Sequence, residues 1–339
     1  MQYEAELQKT IEDMVQPGKG ILAADESLPT IEKRFKPIGV ESTPETRRAW
    51  RSLLLTTPGL GEYISGVILF EETLTQTDDS GTPLPQVAER QGIVPGIKVD
   101  KGKIPLVNSP GDLITQGLDF LADRLRTYKQ QGARFAKWRE VYPVSPENPR
   151  RLSVTANAEV LARYAAICQS EGLVPIVEPE VLIDGDHSIE RCFEVTVDVQ
   201  KEIYHALHRW GVVLEYTILK PNMVTPGKET RKAPPEEVAE WTVRQLRRSV
   251  PAAVPSINFL SGGQTPEEAT ANLNAMNRDF PNQPWELSFS YGRALQQPAL
   301  HAWMGKDENR EAAQQALLER ARLNGLARRG EYRPEMEKG

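Results

Sequence analysis

Eight short apolar runs, each followed by a polar turn and a longer stretch with apolar residues three and four apart, constrain this chain more than any other feature. They begin at Gly20 (GILAAD), Ile64 (ISGVILF), Val94 (VPGIKV), Gly132 (GARFAKWR), Leu173 (LVPIVEPE), Val212 (VVLEYTILK), Pro255 (PSINFLS) and Trp285 (WELSFSYG). They recur about every 38 residues, room for one strand, one helix and two turns. Near-continuous apolar runs belong to parallel strands buried on both faces. Eight of them predict a closed (β/α)8 TIM barrel. An open doubly wound sheet would need a Gly-rich turn after the first strand, and GILAADES has none.

The 339 residues leave room for two domains by length alone, but no Pro/Ser-rich linker divides the chain. A single domain spanning 1–339 is therefore expected, with a helix in 1–19 before the first strand and a helical segment with a short tail in 306–339. Thr43-Pro44 fits an N-cap and first helical position, and Thr265-Pro266-Glu267-Glu268 reads as a capping box. Leu118, Leu121 and Leu125 are predicted to share one helix face. Phe193, Val197, Ile203 and Leu207 share another, in a helix that Gly211 can close.

Lysine plus arginine number 41 against 47 aspartates and glutamates, a net charge of −6. That balance argues against a general nucleic-acid or anionic-membrane binder. No run approaches the roughly 18 apolar residues of a membrane span, and the polar start MQYEAELQKTIEDM is unlike a signal peptide. Cys168 and Cys192 sit in helical segments without metal-ligand or disulfide spacing, so a reducing cytoplasm is expected. The basic RARLNGLARRG near the carboxyl terminus reads as a solvated helix face.

Active sites of such barrels lie at the carboxyl ends of the strands. Charges gather there in this sequence: Asp25, Lys98, Lys137 and Arg139, Glu178 and Glu180, Lys220, and Arg293 just beyond the eighth run. Residues two apart on a strand share a face, so Lys137 and Arg139 point together, as do Glu178 and Glu180. Lysine and glutamate are costly to bury alone, and three lysines, two arginines and three carboxylates form a balanced set. Lys220 follows the apolar YTIL and precedes Pro221, which places it at the barrel mouth. A buried lysine beside other cations has a depressed pKa and attacks carbonyls as the neutral amine. Glu178 or Glu180 is then the expected acid/base, one protonated while the other stays ionised. After the seventh run, Ser261, Gly262 and Gly263 can present donors to an anion, and Arg293 stands in the next loop, where this architecture binds phosphate.

GKGILAADES, VILFEETL, GIKVDKG, FAKWR, VPIVEPE with DGDH behind it, LKPNMVTPG, FLSGGQ and FSYGRALQ occur in this order over nearly the whole chain. In these motifs the sequence resembles the class I, Schiff-base, metal-independent fructose-1,6-bisphosphate aldolases. The resemblance implies that Lys220 forms the imine and that Glu178 is the acid/base of imine formation and dehydration. Asp25 and Lys137 then assist carbon–carbon cleavage and the carbinolamine steps, with Glu180 alongside. It implies a C1-phosphate site at Ser261, Gly262, Gly292 and Arg293, with Gly263 and Ser290 beside them. The C6-phosphate end falls at Ser27, Lys98 and Arg139, with Arg34 near the substrate and Thr30 where many members have serine. No cofactor or metal is expected, the partner is a small phosphosugar, and a homotetramer follows by resemblance. Animal members carry a terminal tyrosine that aids proton exchange, whereas the last tyrosine here is Tyr332; Glu178, Lys137 or water is expected to carry that proton.

Three other readings compete. A metal-dependent aldolase would use His205 and His208, three apart on a helix, but the chain has only four histidines, these two sit on a helix rather than at a strand end, and His187 and His301 have no evident partner. A non-catalytic phosphosugar-binding or scaffold protein would need neither Lys220 nor Glu178. A pyridoxal-phosphate enzyme also uses a lysine imine, but two separated phosphate sites suit a bisphosphate better.

Overall fold

The computed structural model describes residues 2–338; Met1 and Gly339, the ends of the expected domain, lie outside them. The chain opens with α1 (Glu4–Met14), β1 (Gly20–Ala24), α2 (Leu28–Phe35), α3 (Pro44–Leu55) and β2 (Ile64–Leu69). It continues through α4 (Glu71–Leu74), α5 (Leu84–Arg90), β3 (Val94–Lys98), β4 (Lys103–Pro105), β5 (Leu113–Thr115) and α6 (Leu121–Gln130). β6 (Phe135–Tyr142), α7 (Arg151–Ser170), β7 (Val174–Val181), α8 (Ile189–Arg209), β8 (Ile218–Leu219) and α9 (Pro235–Ser249) follow. The last elements are β9 (Ser256–Phe259), α10 (Pro266–Asp279), β10 (Glu286–Tyr291), α11 (Arg293–Trp303) and α12 (Arg310–Arg328).

All eight expected runs contribute a barrel strand. The strands pair in parallel in the ring order β1-β2-β3-β6-β7-β8-β9-β10, and β10 closes on β1. β4 and β5 form a separate antiparallel hairpin between β3 and β6 that the apolar pattern did not reveal. The sixth run gives only the two residues of β8, because Leu214–Tyr216 turns as a 3-10 segment before the chain enters the sheet.

Alternation across the strands builds two cores. Inside the barrel, Ile21, Ala23, Ile68, Val94, Phe135, Val174, Ile176 and Ile218 pack together, and Leu7 and Met14 of α1 plug the bottom. The opposite faces carry Leu22, Ala24, Ala136, Trp138 and Val177 into the layer beneath the helices. Gly96 is required by this packing, since a Cβ there would lie 2.2 Å from the Phe135 ring.

Thr43 and Thr265 cap α3 and α10 as expected, each in a capping box, and Gly211 (φ +65°) follows α8 in the left-handed region. Two expectations need correction. Leu118 lies outside α6, which starts at Leu121 after a left-handed Phe120 (φ 53°). The basic run near the carboxyl terminus is not a solvated face: Arg320 and Arg328 are buried. Arg320 pairs with Glu337 (2.5 Å) and donates to Pro266 O (3.0 Å), while Arg328 donates to Gln16 O and Lys19 O beneath the barrel. Their charges satisfy carbonyls and carboxylates inside the molecule, which a count of basic residues does not reveal.

Candidate active site

Every second residue of β6 and β7 faces the barrel axis. From bottom to top these are Phe135, Lys137, Arg139 and Val141 on β6, and Val174, Ile176, Glu178 and Glu180 on β7. The interior thus changes from hydrocarbon to charge halfway along the strands. Above that level a cavity of about 680 Å³ opens at the carboxyl ends. Every candidate site residue read from the sequence lines it: Asp25, Ser27, Thr30, Arg34, Lys98, Lys137, Arg139, Glu178, Glu180, Lys220, Ser261, Gly262, Gly263, Ser290, Gly292 and Arg293.

Two buried lysines at its floor meet different surroundings. Lys137 Nζ lies 2.6 Å from Asp25 Oδ2 and 3.0 Å from Glu178 Oε2. Burial alone would lower its pKa, but Asp25, Glu178 and Asp100 outweigh burial and raise it, so Lys137 stays an ammonium. Lys220, also 3% exposed, follows β8 with its N–H donating to Val177 O (2.8 Å). Among the described residues its Nζ has a single ion contact, at 3.4 Å, with Glu178 Oε1. Burial lowers its pKa, Glu178 opposes, and the Lys137 charge lowers it further; the net shift is downward. One lysine is held charged and the other is driven toward the neutral amine, the division of roles that nucleophilic catalysis requires. Burial also acts to raise the Asp25 pKa, yet Lys137, Lys220 and Lys98 hold it at about 2, so this carboxylate is ionised.

Unbonded N–H groups and cations stand on opposite sides of this floor. After β9, Gly262 takes φ +53°, and the N–H groups of Gly262 and Gly263 make no hydrogen bond among the described residues. A Cβ on Gly263 would lie 2.7 Å from Ile183 Cγ2, so the loop needs glycine to pass. Gly292 is the N-cap of α11, whose free N–H groups face the same region. Arg293 Nη2 donates to Gly262 O (2.5 Å) and joins the two loops. In the ring, β9 and β10 lie opposite β3 and β6, which carry Lys98 and Arg139. Lys98 pairs with Asp100 (2.7 Å) and Arg139 with Glu180 (2.5 Å). Ser27 and Thr30 share a 3.0 Å hydrogen bond between their hydroxyls on the loop and first turn after β1.

Sequence reasoning missed Asp100 and Glu26. Asp100 holds Lys98 and accepts from the Arg139 N–H (3.3 Å), a role set by strand neighbours rather than by its own segment. Glu26 pairs with Arg51 (2.9 Å) and accepts from Gln296 Nε2 (2.8 Å), which also donates to Ala23 O (2.6 Å). Trp50 Nε1 completes the chain by donating to Gln296 Oε1 (3.0 Å). A buried polar network thereby ties the Asp25 loop to α3 and α11. Tyr332 is buried away from the cavity, its hydroxyl donating to Glu337 (2.9 Å). His205 and His208 are exposed on α8, and no cluster of three His, Cys, Asp or Glu able to hold a metal occurs among the described residues.

Fold and site together define a (β/α)8 protein whose cavity sets a buried lysine of lowered pKa between the Gly262–Arg293 loops and a side that carries Lys98 and Arg139. The chain belongs to the class-I fructose-bisphosphate aldolase family, whose model matches residues 6–339. It is 55% identical to fructose-bisphosphate aldolase 6, cytosolic, of Arabidopsis thaliana, over 95% of this chain and 90% of that one. With the fructose-bisphosphate aldolase of Drosophila melanogaster it shares 54% identity, over 98% of this chain and 92% of that one. A solved structure of fructose-bisphosphate aldolase from Plasmodium falciparum, in complex with TRAP and a small-molecule inhibitor, superposes with a TM-score of 0.95 at 52% identity. That match covers 97% of this chain and 95% of the other. The resemblance carried by the motifs is borne out, and with it the barrel.

Proposed function

We propose that this chain cleaves fructose 1,6-bisphosphate reversibly into dihydroxyacetone phosphate and glyceraldehyde 3-phosphate through an imine on Lys220. The observation that carries the reading is the placement of Lys220 and Glu178 between a Gly262/Arg293 nest and a Lys98/Arg139 side across the barrel. Lys220 attacks the C2 carbonyl, and the carbinolamine loses water with Glu178, 3.4 Å from the same Nζ, moving the proton. The protonated imine accepts the electron pair of the C3–C4 bond as the C4 hydroxyl gives its proton to Glu178, left as the carboxylate by the dehydration, and the aldehyde departs. Lys137, kept charged beside Asp25, stabilises the oxyanions formed on the way. Protonation of the enamine at C3 and hydrolysis of the imine release the second product and free Lys220. Glu180 and Asp100 hold the cations of the far side in place. A cytoplasmic homotetramer completes the proposal, supported by the cytosolic relatives and by family resemblance.

Borohydride reduction with dihydroxyacetone phosphate, followed by peptide mass mapping, tests the mechanism. The expected result is a stable adduct on Lys220 and fructose 1,6-bisphosphate cleavage that resists chelators. Folded protein with Lys220 unmodified would overturn it. A phosphosugar-binding scaffold is the weaker reading, because binding alone has no use for a desolvated Lys220 against Glu178.

A further inference from the structure

On the far side of the cavity the described cations are matched by carboxylates, with one exception. Lys98 pairs with Asp100, Arg139 with Glu180, and Lys228 with Asp184, so these six charges cancel. Lys103, the first residue of β4, lines the same cavity, and its side chain makes no hydrogen bond or ion pair among the described residues. Its position is fixed by the hairpin. Lys103 faces Thr115 of β5 in the ladder, and Thr115 Oγ1 donates to Arg139 O (2.9 Å), which staples the hairpin to β6 beside Arg139. Desolvation at the rim and the adjacent Arg139 charge lower its pKa against the pull of Glu180, Asp184 and Asp100. Lys33 and Arg34 of α2 also line the cavity, and Arg34 has Glu26 and Arg293 as its charged neighbours, whereas Lys103 is the unpaired cation whose neighbour of like charge is Arg139.

We infer that Lys103 is a specificity-determining residue, which favours sugars carrying a second phosphate over those ending in a free hydroxyl. A ketose held by the Gly262 nest and by Lys220 reaches this side with its last carbon. Without Lys103 the three ion pairs of this side sum to zero charge, and a phosphate dianion must share the Lys98 and Arg139 donors with Asp100 and Glu180. With it, one net positive charge awaits the dianion, whereas a hydroxyl is indifferent to that charge. The inference rests on the function proposed above.

The test compares kcat/KM for fructose 1,6-bisphosphate and fructose 1-phosphate in the unaltered protein, Lys103→Met and Lys103→Arg, at low and high salt. The preference for the bisphosphate is expected to fall about fivefold in Lys103→Met, the scale of one solvent-facing charge contact. Lys103→Arg should restore it to within about twofold, and salt should erode the preference of the unaltered protein more than that of Lys103→Met. A Lys103→Met protein with the original preference, or one losing both substrates equally, would overturn the role of Lys103 and leave the aldolase reading intact. Unaltered protein that cleaves neither sugar would overturn the aldolase reading, and Lys103 with it.

Discussion

Replacing Asp25 with Asn isolates one charge at the floor of the cavity. Burial acts to raise the pKa of this carboxyl, and the lysines around it win, holding it at about 2 against an ordinary 3.8. Lys137 Nζ, at 2.6 Å, is the main counterweight. At an effective dielectric constant of about 20 that contact is worth about 6 kcal/mol, most of which offsets desolvation. The gap between 3.8 and about 2 leaves about 2 kcal/mol of net stabilisation. A carboxyl with a depressed folded pKa contributes fully above its unfolded value near 4 and loses the contribution as pH falls through about 2. Asparagine keeps the shape, and Glu178 remains to hold Lys137 at 3.0 Å. In urea unfolding followed by tryptophan fluorescence, Asp25→Asn should be less stable by about 2 kcal/mol at pH 7 and by about half that at pH 3. A difference that stays flat across this range, or is negligible at pH 7, would refute the electrostatic account.

Two further perturbations test the site's construction. Lys137→Met removes a cation that lowers the Lys220 pKa, so the pH at which borohydride trapping of Lys220 reaches half its maximum should move upward; an unmoved or lowered midpoint would show that the two lysines do not communicate. Gln296→Leu leaves Trp50 Nε1, Ala23 O and one Glu26 oxygen without their partner. It should cost about 1–3 kcal/mol in urea unfolding and raise KM by loosening the Asp25 loop, and a variant as stable as the parent, with unchanged KM, would show that this network holds nothing.

The sequence made the barrel legible because burial on both faces leaves a strand almost wholly apolar, so the one or two charges at its end stand out. Lys137 and Arg139 could be assigned to one face from their spacing alone, and so could Glu178 and Glu180. Asp100 was hidden because its partners, Lys98 and the Arg139 N–H, come partly from a strand nearly 40 residues away. The β4–β5 hairpin was hidden for a similar reason: three-residue strands with exposed Lys103, Ile104 and Pro105 carry no periodic signal. The buried arginines of α12 could not be told from surface ones, since what distinguishes them is the set of carbonyls and carboxylates folded around them.

The halfway change from hydrocarbon to charge on β6 and β7 makes these strands intolerant of length variation. Deleting one residue just before Lys137 would turn Lys137 and Arg139 into the greasy layer under α7 and swing Trp138 and Glu140 into the cavity. Chemistry and fold would be lost in one step. Insertions and deletions among relatives should therefore gather where the frame is not read. The stretch between β3 and β6 is one such place, already accommodating an extra hairpin, and new specificity can be written there without moving a single rung of the barrel.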